Sequence, residues 1–209
     1  MRALLAAALV LAAPLTAAAY EEPAHEVEVA DGRYEVRTYA PMIVASVVVN
    51  ASGREATSRG FRPLADYIFG NNTARSQIEM TAPVSQVAEE PASEKIDMTV
   101  PVSQTAASAN HTVVSFMMPS AWTMETLPLP NNDDVRLAEI PERRIASYRF
   151  SGSGNDAQQA EATAKLTAWL TARGLEPVGA PIFNFYSGPW VPGPLRKNEV
   201  HLTLAPQGT

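Results

Sequence analysis

Histidines are the natural starting point for chemistry, because the chain contains no cysteine and only three histidines, His25, His111 and His201. The absence of thiols excludes zinc ribbons, iron–sulfur clusters, thiol catalysis and thioether attachment of a cofactor. The histidines are far apart in sequence, so a preformed histidine cluster for a metal ion is not expected. His111 and His201 are weak candidates for a single metal ligand, and exposed or hydrogen-bonded histidines are the alternative.

Catalytic motifs are missing from the sequence. No G-x-S-x-G nucleophile turn and no paired-histidine metal motif occurs. The acidic pairs Glu89-Glu90 and Asp133-Asp134 fall in polar segments that do not desolvate a carboxylate. The sequence therefore favours a binding protein over an enzyme.

The charge balance excludes one large class of partner. The formal net charge is −6, and the 16 lysines and arginines are scattered rather than gathered into a basic stripe. Proteins that bind nucleic acid use such a stripe to displace counterions from phosphates. A nucleic acid is therefore not expected as a partner.

Residues 1–19 have the three-part pattern of a secretory signal peptide. Arg2 supplies a positive charge, an apolar run follows, and small residues precede a cleavage site after Ala19. The run is shorter than the roughly 20 residues needed to span a bilayer, and no other stretch approaches that length. The mature protein, residues 20–209, is expected to be exported to the periplasm or the exterior and not to span a membrane.

Hydrophobic periodicity gives the elements that would position a site. Residues 34–39 alternate as a half-buried strand does, and 42–49 form a β-branched run. A helix follows from Ser52-Gly53 to about Gly70, with Phe61, Leu64, Ala65 and Ile68 on one face. Further elements are a second helix at 155–173 and strands at 78–84, 96–102, 113–118, 135–139, 145–150, 181–186 and 199–204.

The order of strand pair, helix and strand pair occurs twice, at about residues 27–118 and 135–204. A loop rich in proline and asparagine, residues 119–134, divides the two halves. This pattern predicts a single α+β domain built from a duplicated unit, with two helices packed on a curved antiparallel sheet. A monomer is expected.

Five stretches in this order, covering nearly the whole mature chain, resemble the SOUL haem-binding protein family. They are Tyr34–Tyr39, Gly60–Gly70, Ile78–Val84, Phe116–Pro119 and the segment from Asn184 to Val200. The resemblance implies that the sheet forms a distorted antiparallel β-barrel with two packed helices. It also implies non-covalent binding of haem or another tetrapyrrole in a surface groove beside the first helix.

The chain departs from the family at positions proposed to contact haem. Thr38 stands where a histidine has been proposed as an iron ligand in one member, and a threonine does not supply the nitrogen that haem iron takes. Ser58 and Asp66 stand where another group of members has basic residues, with Arg59 and Arg62 nearby. The family's contacts are therefore not carried over residue by residue.

A planar tetrapyrrole needs an apolar slot and cations for its carboxylates. The slot candidates lie on the helix and strand faces that the resemblance places at the groove: Phe61, Leu64, Ala65, Ile68, Met80, Met98, Phe116 and Met118. The alternative for these residues is an ordinary hydrophobic core. Arg59, Arg62, Arg196 and Lys197 are the candidate cations, and solvated surface charge is the alternative for them.

The sequence and the resemblance together lead to one main hypothesis. The protein is expected to be an exported binding protein for haem, a porphyrin or a similar hydrophobic planar ligand, acting as a carrier or buffer. Two alternatives remain open: an enzyme that processes tetrapyrroles, for example by removing iron from haem, and an interaction module without a small-molecule ligand.

Overall fold

The computed structural model of the chain describes residues 20–75, 93–108, 110–188 and 190–205. The predicted leader, the predicted strand at 78–84 and the slot candidate Met80 lie outside these residues. The helices are α1 (Gly53–Ile68) and α2 (Asp156–Thr171), with a short 3-10 turn at Gly193–Leu195. The strands are β1 (His25–Asp31), β2 (Tyr34–Tyr39), β3 (Met42–Val49), β4 (Asn72–Thr73), β5 (Val102–Ser108), β6 (His111–Met117), β7 (Leu129–Pro130), β8 (Arg136–Ile140), β9 (Arg143–Phe150), β10 (Pro177–Phe185) and β11 (Asn198–Leu204).

Nine of these strands form one antiparallel sheet in the order β1-β2-β9-β11-β10-β5-β6-β3-β8, while β4 and β7 pair separately. The predicted α+β class, with two helices and a large antiparallel sheet, is confirmed. Closure into a barrel is not found, since β1 and β8 are the two edges of this sheet and do not pair with each other in the described part of the chain. Strand β1 pairs with β2, so β8 would have to reach the edge formed by β1 for the sheet to close.

The strand order is symmetric about the central pair of β5 and β10. Moving outward from this pair, β6 corresponds to β11, β3 to β9 and β8 to β2. One strand of each half pairs with a strand of the other half: β2 pairs with β9, and β8 pairs with β3. This exchange brings residues from both halves together along the sheet.

Each helix covers its own hydrophobic core on one face of the sheet. The core under α1 includes Leu64, Tyr67 and Ile68, and the core under α2 includes Leu166 and Leu170. Gly60 lets α1 lie close to β6, because a Cβ at this position would stand 2.5 Å from the Cβ of Val114. The contact fixes the position of α1 on the sheet.

The ends of the helices follow from local sequence. The Asn155 side chain caps α2 by accepting a hydrogen bond of 3.0 Å from the backbone N–H of Gln158. Helix α1 continues through Pro63 rather than restarting there. The turn after α1 is held by Asn72, whose side chain donates to the Tyr67 carbonyl at 2.8 Å.

Two sequence-based assignments of strands differ from the structure. Residues 96–102 do not form the predicted strand: Ile96 is buried and its N–H donates to the Ile68 carbonyl, while the Val100 N–H donates to that of Glu21. The apolar pattern there reflects burial against the end of α1, and β5 begins only at Val102. Strand β1 was not predicted; Glu26-Val27-Glu28-Val29 alternates polar and apolar residues, but the alternation is short and all of the side chains are exposed. No helix among the described residues is long and apolar enough to cross a membrane.

Candidate functional site

A groove of about 480 Å³ runs between the first half of α1 and the chain that joins β10 to β11. The turn between β9 and α2 forms one end of it, through Ser153 and Gly154. The groove combines three aromatic rings with three guanidinium groups: Phe61, Phe185, Trp190, Arg54, Arg62 and Arg196. None of the described residues that line it is acidic.

The aromatic rings of the groove are unusually open to solvent. Trp190 is 79% exposed, and Phe61 is 37% exposed with only an edge contact of 5.3 Å to the Phe116 ring. Phe185 is half-buried against Gly154, where a Cβ would come within 2.6 Å of the phenyl ring. Exposed aromatic surface beside a cavity is typical of a binding site, because water solvates it poorly.

Hydrogen bonds hold the wall of the groove in place. The Asn198 side chain donates to the Gly152 carbonyl at 3.1 Å, and the Gly152 N–H donates to the Gly193 carbonyl at 3.0 Å. Arg196 Nε donates to the Val191 carbonyl at 2.7 Å. The β10–β11 connection is therefore tied both to the β9–α2 turn and to itself, so the groove is formed before a ligand arrives.

Most of the predicted slot residues lie in the core under α1 rather than in the groove. Of the slot candidates that the structure describes, only Phe61 lines the groove. The others that the structure describes are buried or partly buried: Leu64, Ala65, Ile68, Met98, Phe116 and Met118. Met118 additionally lines a cleft of about 520 Å³ beside the start of β3 and the end of β8. The periodicity of apolar residues in α1 predicts the buried face of the helix, whereas the groove lies on the adjacent face.

The predicted cations divide into two groups. Arg62 and Arg196 line the groove. Arg59 instead forms an ion pair of 2.5 Å with Glu55 on the solvent side of α1. Lys197 forms an ion pair with Glu22 at 2.9 Å and lies over the ring of Tyr186.

Three of the six aromatic and arginine residues of the groove were not named as candidates from the sequence. Arg54 was detectable, because it precedes Ser58 and Phe61 at the i, i+4, i+7 spacing of one helix face. Phe185, the last residue of β10, and Trp190, in the irregular chain after it, fall in the quoted segment after Asn184. No periodicity links the end of a strand to irregular chain, so the sequence does not indicate that these side chains share a surface.

Neither candidate histidine lies in the groove. His111 is exposed at the start of β6, where its Nδ1 is 3.1 Å from Ser108 Oγ. His201 is buried on β11, and its Nε2 is 2.9 Å from Glu199 Oε2. Burial lowers the pKa of His201, so the ring is neutral near pH 7 and donates its Nε2–H to the carboxylate.

Glu199 is the centre of a buried network on the sheet. Arg37 donates to both of its carboxylate oxygens, at 2.8 and 3.2 Å, and the Tyr186 hydroxyl donates at 3.1 Å. Burial raises the pKa of Glu199, but the hydrogen bonds from His201 and Arg37 outweigh it and hold the pKa well below its usual range. The carboxylate is therefore ionised and fully compensated. No group of three or more potential metal-ligating residues occurs in the described part of the chain.

Comparison with known families matches the chain to "SOUL heme-binding protein" over residues 20–93 and 86–203. Heme-binding protein 2 of Mus musculus is 26% identical over 144 residues, and heme-binding protein 2 of Homo sapiens is 28% identical over the same length. In each comparison the match covers 68% of this chain and 64% of the relative. The chain therefore spans less than two thirds of the length of these relatives.

Solved structures share the fold at low sequence identity. The C-terminal domain of EcmrR matches 82% of this chain and 96% of its own, with a TM-score of 0.58 and 10% identity. A hydrolase from Listeria innocua matches 85% of this chain and 94% of its own, with a TM-score of 0.54 and 12% identity. These similarities concern the architecture alone.

Proposed function

Because the chain belongs to the SOUL heme-binding protein family, we propose that it binds haem or a related tetrapyrrole non-covalently in the groove beside α1. The observation that carries this proposal is the combination of exposed aromatic rings and arginines around one cavity. A tetrapyrrole presents a flat apolar ring and carboxylate side chains, which match these two kinds of residue. The relatives named heme-binding protein 2 support the same ligand class.

The aromatic residues provide the seat for the ring. Trp190 and Phe61 expose apolar surface, which a planar ligand would remove from water at a gain of roughly 25 cal/mol per Å². Phe185 lies at the groove beside Gly154, so its ring cannot be displaced without disturbing the β9–α2 turn. An aromatic ligand stacked on Trp190 would also cover the most exposed of the three tryptophan side chains.

The arginines provide the partners for carboxylates. Arg54 and Arg62 lie about two turns apart on α1, and Arg196 lies on the facing connection. A guanidinium binds a carboxylate through two parallel hydrogen bonds, which are stronger and more directional than neutral ones. No described lining residue is acidic, so an anionic ligand in the groove would meet no carboxylate among them.

The described lining residues fit the ring and the carboxylates but supply no iron ligand. Haem iron takes histidine, methionine, cysteine or tyrosine as axial protein ligands, and none of these types is among the lining residues that the structure describes. When haem is bound, the iron would supply the redox and ligand-binding chemistry of the complex. The residues of this chain would orient the ring and hold its carboxylates, so the groove should bind haem and iron-free porphyrin with similar strength.

A carrier or buffer role outside the cytoplasm follows from the proposed binding mode. Arginines and aromatic rings at an open groove hold a ligand without covalent attachment and allow its release. The leader-like residues 1–19 support export of the protein. The amino terminus of the secreted protein tests this part: it should begin at Tyr20, whereas retention of residues 1–19 in the cytoplasm would contradict export.

Titration of the purified protein with haemin and with iron-free protoporphyrin tests the proposal. We expect saturable one-to-one binding of both, followed by the Soret band and by quenching of tryptophan fluorescence, with dissociation constants within about threefold of each other. No binding of either at micromolar concentration would overturn the proposal in favour of an interaction module. Much tighter binding of haemin would contradict binding through the ring and carboxylates alone.

A matched pair of variants locates the binding. Phe61→Asp places a carboxylate in the groove and should weaken binding of both porphyrins at least about tenfold, because it repels their carboxylates and removes the apolar contact. Phe69, which is 56% exposed just after α1 and does not line the groove, is the control. Phe69→Asp should bind like the wild type, and equal loss in both variants would exclude the groove as the site.

A further inference from the structure

The face of the sheet opposite the helices contains a separate cavity of about 240 Å³. Alternate residues of β3 lie on the two faces of the sheet. Ala45 and Val47 pack under α1, while Val44 and Ser46 line the cavity on the other face. No residue that lines the α1 groove lines this cavity. The two spaces are therefore independent sites on opposite faces of one sheet.

The cavity wall is mostly apolar with a polar floor. Met42, Val44, Val113 and Ile182 are among its apolar lining residues. The floor contains a row of hydroxyl groups in register across three neighbouring strands, because Ser115 pairs with Ser46 on one side and with Ser103 on the other. An engineered apolar cavity of about 150 Å³ holds benzene, so this one has room for a ring or a short alkyl chain with a polar head group.

The polar atoms of the cavity show an imbalance of charge. Glu199, next to it on β11, is already compensated by Arg37, His201 and Tyr186. None of the described lining residues is acidic, yet Arg143 lines the cavity with a buried Nε that has no hydrogen-bond partner. Within the described residues, no carboxylate lies within ion-pair distance of Arg143.

Asn184 presents a second unsatisfied donor to the same cavity. Its residue is only 3% exposed, its Oδ1 accepts from Ser103 Oγ at 2.6 Å, and its Nδ2 has no partner. A buried donor without an acceptor is destabilising, and a buried guanidinium without one is more so. Two such donors in one apolar cavity indicate that an acceptor from outside the chain completes it.

We propose that this cavity binds a small apolar carboxylate, such as a medium-chain fatty acid or an arylalkanoic acid, with the carboxylate on Arg143. The Asn184 amide donates to a further oxygen where the ligand carries one. The apolar body lies against the β3 and β6 side chains. Met42, Met117 and Ile140 line both this cavity and the neighbouring cleft at the start of β3, and they mark the route by which the ligand enters.

Calorimetric titration with octanoate and 3-phenylpropanoate at pH 7.5 tests the proposal and distinguishes the two ligand sources. 1-Octanol is the uncharged match for octanoate. We expect saturable one-to-one binding of at least one of the two acids, and binding of its uncharged alcohol at least about tenfold weaker. Equal affinity for octanoate and 1-octanol, or no binding of either acid at millimolar concentration, would overturn the proposal.

Arg143→Met removes the guanidinium and keeps an apolar side chain, so the variant should fold. It should lose at least about tenfold in affinity for the acid and retain its affinity for the alcohol. Arg136→Met, at an exposed position of β8 that does not line the cavity, is the matched control and should bind like the wild type. Unchanged acid affinity in Arg143→Met would overturn the assignment of the carboxylate.

Two further variants keep the result interpretable if Arg143→Met is poorly folded. Ser115→Phe fills the floor of the cavity and should weaken acid and alcohol alike, as judged on protein whose circular dichroism matches the wild type. Phe61→Asp, in the α1 groove, should leave acid binding unchanged. Loss of acid binding in Phe61→Asp with full binding in Ser115→Phe would place the acid in the groove and contradict the proposal.

Discussion

The large aromatic side chains on the two helices differ in how far the protein buries them. On α2, Trp169 is 8% exposed: its ring stacks on Tyr34 at 5.3 Å, its Nε1–H donates to Asp31 at 2.8 Å, and Arg173 lies over its other face at 4.0 Å. On α1, Phe61 makes only an edge contact with Phe116 and stays half-open to solvent.

This difference separates a side chain that stabilises the fold from one that is available for binding. Every surface of the Trp169 ring has a partner within the protein, so its burial contributes to the free energy of unfolding. The rings of Phe61 and Trp190 have few partners and contribute little to it. The buried ring on α2 therefore serves stability, whereas the open rings of α1 and of the β10–β11 connection serve, as we propose, ligand binding.

The largest expected effect on stability comes from the core under α2. Trp169→Ala should lower the free energy of unfolding by about 3 to 5 kcal/mol, because it removes a packed ring and leaves Asp31 without its indole donor. Urea denaturation monitored by circular dichroism measures this loss. Haemin affinity of the folded variant should be unchanged, and a loss below about 1 kcal/mol would show that the stack is not part of the core.

Acid should also lower the stability of the protein, because His201 is buried on β11, on the face of the sheet opposite the helices, where it faces Glu199, Arg37, Arg143 and Tyr39. Burial holds the pKa of His201 below its usual value of 6.5, so unfolding is accompanied by proton uptake below that pH. The free energy of unfolding should therefore fall as pH falls from 6.5, with a slope approaching about 1.4 kcal/mol per pH unit for one proton.

The lowered pKa of Glu199 should add to this loss only below about pH 4.5, where the carboxylate is protonated in the unfolded chain. Urea denaturation at half-unit steps from pH 7.5 to 5.0 measures the effect of His201. His201→Gln should remove most of the slope, whereas His111→Gln leaves the network intact and should keep it. A free energy of unfolding that is constant over this range in the wild type would contradict a buried neutral His201.

The smallest change in stability is expected at the groove beside α1. Trp190→Ala should alter the free energy of unfolding by no more than about 0.5 kcal/mol, because its ring is largely solvated. The same variant should lose about tenfold in affinity for haemin, since it removes the aromatic surface on which the ring stacks. Leu195→Ala, at an equally exposed position of the same connection, is the control. A large loss of stability in Trp190→Ala without loss of haemin affinity would show that this ring stabilises the fold, as Trp169 does, rather than binding the ligand.

The sequence predicts elements well where one face of a strand or helix is buried. Strands β2, β3, β9 and β11 and both helices follow from such alternation or periodicity. Strand β1 has no buried face and was missed, and residues 96–102 have a buried face without pairing to a neighbour. Barrel closure could not be predicted from the sequence, because it depends on whether the two edge strands of the sheet, β1 and β8, pair with each other.

The site was predicted only in part for a related reason. The spacing of Phe61, Leu64 and Ile68 identifies the buried face of α1, whereas the groove uses the adjacent face, which contains Arg54 and Arg62. Its opposite wall comes from an irregular connection whose position depends on hydrogen bonds such as that from Asn198 to Gly152. The ion pair of Arg37 and Glu199 joins residues 162 positions apart, and no local pattern indicates such a pair.

Amide chemical-shift mapping with isotope-labelled protein and iron-free protoporphyrin tests the central claim most directly, because this ligand is diamagnetic and reports its position residue by residue. The account predicts that the largest shifts occur at residues 54–62 of α1 and 185–198 of the facing connection. The opposite face of the sheet, around Ser46, Ser115 and Asn184, should be unaffected. Shifts concentrated on that opposite face, with none along α1, would contradict binding in the groove.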